Sequence, residues 1–158
     1  MTFFTTQFFI QLITSFITSA AFAIMFRVNR RHLVFIGICG TITYAVYYTL
    51  LFFTGSLFVA SFVSSVATAC YAEIFARLRH APTIIFVLTG IVPTVPGGSL
   101  YRGMRDLLKD EIGTAIEAFA ETLEVGIGIA GGIVAVPILV GIVTDFMAKH
   151  KKAKLEEK

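Results

Sequence analysis

Ser99, Arg102 and Arg105 follow directly on Pro93-Thr94-Val95-Pro96-Gly97-Gly98, where two prolines and a glycine pair interrupt an apolar run. Proline removes a backbone donor and clashes with the preceding turn, and glycine costs about 1 kcal/mol against alanine inside a helix. A helix restarting after such a break presents unpaired N–H groups and partial positive charge. Ser99 is the expected N-cap of a helix from Leu100 to about Lys109. The amides of Gly97, Gly98 and Ser99 then form an anion site, and Arg102 and Arg105, three residues apart, add a fork for a carboxylate. In hydrocarbon, broken backbone survives only where it is buried in protein or lines a wet cavity. Broken membrane helices use half-helix N-termini to hold substrate carboxylates. The chemistry expected at the break is therefore binding of a small carboxylated metabolite. A structural kink leading into a surface helix is the plain alternative.

A second constellation is acidic. Asp110, Thr114, Glu117, Glu121 and Glu124 recur at steps of three or four, which places them on one helix face, opposite Ile112, Ile116, Phe119 and Leu123. In water this is the wet side of an amphipathic helix. At membrane depth, Glu117, Glu121 and Glu124 become candidates for proton coupling or for holding a substrate ammonium. Glu73 precedes Arg77 by four residues and reads first as an ion pair at the cytoplasmic edge, with the same coupling role as the alternative. Thr41, Thr43, Tyr44, Tyr47 and Tyr48 read as hydroxyls bonding across helices, with a lined path as the alternative, and His32 and His80 as neighbours of lipid headgroups. Cys39 and Cys70 lie inside apolar runs without metal-ligand spacing, and read as small core residues. The sequence carries no Ser/His/Asp grouping, phosphate loop or paired-carboxylate motif; no enzyme, cofactor or metal site is expected.

The elements that must position these groups are membrane spans. The 158 residues are 56% hydrophobic and 15% charged, with mean hydropathy +0.84, far from the roughly 25% charged residues of soluble domains. Spans of about 20 apolar residues fall at 3–26, 33–53, 57–75, 83–101 and 122–146, and the fourth carries the break. The expected fold is an all-α integral membrane protein of about five transmembrane helices. One membrane domain covers residues 1–148, and a basic, frayed tail covers 149–158. Residues 1–26 carry no charge and no basic n-region, so the run is expected to remain as the first span. Arginines in the first and third loops and lysines in the tail, with none in the second loop, place the N-terminus outside and the C-terminus in the cytoplasm. The charge thus speaks of topology and the lipid bilayer, and not of nucleic acid. Small residues at helix-packing spacing, Ser15/Ser19/Ala23, Ser61/Ser65/Ala69 and Gly128/Gly132 (extended by Gly126 and Gly131), read first as intramolecular interfaces and second as contacts with another subunit.

Val95-Pro96-Gly97-Gly98-Ser99-Leu100-Tyr101, after an apolar half-helix and with Pro93 ahead of it, resembles the threonine/serine exporter family, as does the basic loop after Ala23-Ile24-Met25-Phe26. The similarity covers nearly the whole chain and is to the family's short membrane-only module, its C-terminal half. The resemblance implies a proton-coupled exporter of threonine and serine in the bacterial inner membrane, with dicarboxylates as the substrates of some split members. It also implies a companion multi-span subunit resembling the N-terminal half, hence a hetero-oligomer. Pro93, Pro96, Gly97 and Tyr101 carry over as signature positions. The competing expectation is a non-transporting scaffold that stabilises a larger multi-span partner.

Overall fold

Long apolar runs have no water to bond to in a membrane, and the α-helix satisfies every backbone group within its own segment. The computed structural model describes residues 6–156, and side chains from 6 to 142. Six α-helices follow in order: α1 Thr6–Met25, α2 Leu33–Thr54, α3 Leu57–Arg79, α4 Thr83–Ile91, α5 Gly97–Leu107 and α6 Ile112–Glu156. Single 3-10 turns lie at Arg30–His32 and Val92–Thr94, and the described residues contain no strand. Four helices are long and apolar enough to cross a membrane. The pair Thr83–Thr94 and Gly97–Leu107, bent by 52°, makes a fifth if it counts as one span. The architecture is thus the all-α, multi-span fold expected, with the break where the prolines stand.

The ends differ in detail. Residues 3–5 of the first expected span lie outside the described residues. α2 and α3 end at Thr54 and Arg79, beyond the expected Phe53 and Phe75. The tail expected to fray is helical to Glu156, because its Ala, Lys and Glu residues are strong helix formers; residues 157–158 lie outside the description. The charge-free turn between α2 and α3 closes by local chemistry. Gly55 takes a left-handed φ of 66° that a residue with a Cβ adopts only at a cost, and the Ser56 hydroxyl accepts the Val59 N–H at 3.4 Å.

α3 is the hub, packed against α2, α4 and α6, while α5 packs chiefly on α6. The small-residue stripes turn inward. Ser15, Ser19 and Ala23 are buried on α1, and Ser61, Ser65 and Ala69 on α3. A Cβ on Gly128 would collide with the Ser61 hydroxyl, and one on Gly132 would stand 2.6 Å from the Phe62 carbonyl oxygen and overlap Ser65. Gly126 meets nothing within 4 Å, and a Cβ on Gly131 would make only ordinary contact with Phe62, so these two do not extend the packing face. In lipid, where apolar burial drives little, this close backbone approach supplies the packing energy.

The contacts of α3 with α6 rise together in number: Phe58 with Glu124, Ser61 with Gly128, Ser65 with Gly132. The two helices therefore run parallel. Glu124 is level with the first turn of α3, so the part of α6 before Glu121 overhangs α3 by about 14 Å. α5 lies antiparallel on that overhang, with Ser99 beside Glu121 and Gly103 closed against the Phe119 ring.

Candidate functional site

The break is built in three steps. Pro93 sits in the 3-10 turn Val92–Thr94, whose last residue bonds its own hydroxyl to the Ile91 carbonyl at 2.8 Å. Pro96, with φ −79°, is the N-cap of α5, and its carbonyl accepts the Leu100 N–H at 3.1 Å. The helix therefore starts at Gly97, three residues earlier than a Ser99 cap requires. Ser99 stands inside the first turn, which corrects the expectation: the proline carbonyl, already aimed along the axis, takes the first helical bond. Gly97 and Gly98 show no left-handed φ, so they are not the tight turn their type implied. Nothing crowds a Cβ at Gly97, and one at Gly98 would only touch Arg102 Nη1 at 3.8 Å. Both are exposed, and neither backbone strain nor packing requires a glycine at either.

The depth of this turn follows from its neighbours. A Cβ on Gly90 would stand 2.6 Å from Cys39 Sγ, in the second turn of α2, and 3.2 Å from Thr68 Cγ2, at the middle of α3. The Thr43 and Thr68 hydroxyls pair there at 2.6 Å. The turn begins within one helical turn beyond that level and ends beside the overhang of α6.

Around the start of α5 the structure assembles Gly98, Ser99, Arg102 and Glu121. Arg102 Nη2 donates to Ser99 Oγ at 2.9 Å and to Glu121 Oε2 at 3.1 Å, and Ser99 Oγ donates to the same carboxylate oxygen at 3.1 Å. The Arg102 and Glu121 side chains are 52% and 45% exposed, so this chain does not enclose the pair, and an exposed pair of this kind is worth about 1 kcal/mol or less. The Gly97 N–H is already committed to the Val95 carbonyl at 2.8 Å. The donors left for a ligand are the Gly98 and Ser99 amides, which meet no backbone acceptor among the described residues.

Other expected members stand elsewhere. Arg105 does not join a fork, because its Nε and Nη2 both engage Asp106 Oδ1 at 2.8 Å. Tyr101 is 68% exposed and at 100° per residue points away from Ser99 and Arg102. Glu117 is exposed. Asp110 has a φ of 59° in the turn before α6, a left-handed conformation Asp tolerates, so it is not on the helical acidic face. Glu124 accepts the Phe58 N–H at 3.0 Å. It caps α3 from a position 66 residues away, beside the Ser56 cap, and nothing local in the sequence signals that partner. Tyr47 of α2 lies close enough to Glu121 and Glu124 to feel both charges. Glu73 pairs with Arg77 at 3.4 Å as expected, but it also lines a cavity that sequence reading missed.

Comparison with known proteins adds to this geometry. A family model described as "Threonine/Serine exporter, ThrE" matches residues 11–139. A threonine/serine exporter of Corynebacterium glutamicum is 27% identical over 126 residues, which are 80% of this chain and 26% of the relative. The chain thus spans about a quarter of that relative's length. No solved structure matches.

Proposed function

The chain belongs to the threonine/serine exporter family, and on that premise we propose that it is a membrane subunit of a secondary exporter of threonine, serine or a related small carboxylate. Its companion is a second multi-span chain that stands for the part of the relative outside the match. The membrane is the bacterial inner membrane, with the N-terminus outside and the C-terminus in the cytoplasm. The observation that carries the reading is the Ser99–Arg102–Glu121 cluster beside the bend. An internal carboxylate there already occupies the donors that a substrate carboxylate needs. Substrate displaces Glu121 from Arg102, takes the Arg102 donors together with the Gly98 and Ser99 amides, and leaves Glu121 free for a substrate ammonium or a proton. Because an exposed ion pair is worth little, giving it up costs little. The bent pair α4–α5 then moves against the companion to change access.

Vesicles loaded with labelled threonine, serine or a dicarboxylate, and holding either this chain with its companion or the companion alone, test the role. Efflux that needs both chains is expected. Full efflux by the companion alone would make this chain a scaffold, and no efflux of any carboxylated load by the pair would remove the exporter subunit reading.

A further inference from the structure

At the opposite end of the bundle, away from the site above, a cavity of about 220 Å3 opens between α3, α4 and α6, lined among others by Glu73, Thr83, Val87, Ile133 and Pro137. Three features of this cavity converge. Glu73 is the sole carboxylate side chain in residues 1–105. It lies six residues inside the end of α3, about 9 Å along the axis, and its side chain is only 20% exposed. A carboxylate within a span is costly to keep and marks an ion or proton path by default. Pro137 stands inside α6 and has no N–H, so the Ile133 carbonyl four residues back loses its helical donor. Both residues line the same cavity as Glu73. A lone carboxylate and the proline that interrupts the α6 ladder share a wall that is otherwise mostly apolar.

The geometry points to Glu73 as a proton-binding group. In its charged form it pairs with Arg77. On taking a proton from water it becomes a neutral carboxyl, which a mostly apolar wall tolerates better than a charge; release returns the same proton. Few oxygens line the space, and a metal cation needs a cage of several, so the proton is the ligand that fits. Arg77, on the same helix, is the charged group that meets Glu73, at 3.4 Å. α4 over Thr83–Ile91 and α6 over residues 125–142 carry no titratable side chain. Arg79 is turned onto the Phe35 ring, and His32 stands edge-on to Phe86. The binding stands on this geometry, whereas its use as the coupling step rests on the exporter reading.

A hydrophobic carbodiimide, which captures carboxyl groups in their protonated form, tests it on the purified chain in lipid nanodiscs. The expected result is an adduct on the peptide holding Glu73, falling by about tenfold per pH unit above its midpoint. Absence of a Glu73 adduct at every pH, labelling indifferent to pH, or protection by sodium at fixed pH would each overturn the assignment. Labelling needs no transport, so its failure is separable from failure of the exporter reading.

Discussion

Arg102→Ala is expected to lower substrate efflux by about tenfold to a hundredfold while the protein still inserts at the wild-type level. The estimate comes from a charge-assisted hydrogen bond to a carboxylate, worth about 1.5–3 kcal/mol, at about 1.4 kcal/mol per factor of ten. Arg102 is 52% exposed in its side chain, and its ion pair with Glu121 joins two half-exposed side chains, so folding loses little with it. Arg102→Lys keeps the charge but not the planar fork, and an intermediate rate is expected. Glu121→Gln is the counterpart: it weakens the internal competitor for Arg102, so half-saturation of dicarboxylate efflux, where no ammonium needs Glu121, should fall to lower substrate concentration. Loaded-cell efflux, normalised to membrane-inserted protein, checks all three. Unchanged efflux in Arg102→Ala would remove the arginine from the site.

The largest effect on stability is expected from Gly132→Leu. A Cβ there would stand 2.6 Å from the Phe62 carbonyl oxygen and overlap the Ser65 hydroxyl, and a backbone atom cannot swing aside. The α3–α6 interface is the most extensive in the bundle, so separating it disturbs the whole protein. Overpacking of this kind costs about 3 kcal/mol, or roughly 6–12 °C in the unfolding midpoint for a chain of this size. Gly126→Leu is the control, because Gly126 faces open space on the same helix. Thermal unfolding in detergent should separate the two, and equal midpoints would show that the close approach of α3 and α6 is not what holds them.

Much of this architecture was legible because the membrane simplifies the physics. Hydropathy and length alone placed the spans, since backbone in lipid has few choices. Ser15/Ser19/Ala23 and Gly128/Gly132 announced packing faces through spacing. The bend was legible from Pro93 and Pro96. What was not legible depended on three-dimensional proximity or on which of two local caps wins. Ser99 looked like a cap by type, but the Pro96 carbonyl starts the helix first and frees the serine hydroxyl for Glu121. Arg105 looked like half of a fork until its neighbour Asp106 took it. Glu124 and Phe58 meet across 66 residues, and no periodicity reports such a pair. The cavity of Glu73 needed both the lie of α6 along α3 and the gap that Pro137 leaves in a helix ladder.

The central claim is that the first turn of α5 holds a substrate carboxylate. Gly98 is the position from which to watch it, because it is exposed and a Cβ there meets only Arg102 Nη1 at 3.8 Å. In a Cys70→Ala background, which removes the exposed native thiol and leaves Cys39 buried, Gly98→Cys can be followed by its rate of alkylation in the reconstituted exporter. Threonine should slow that alkylation, and the corresponding amino alcohol, which lacks the carboxylate, should not. Equal protection by both compounds, or none by either, would contradict the claim.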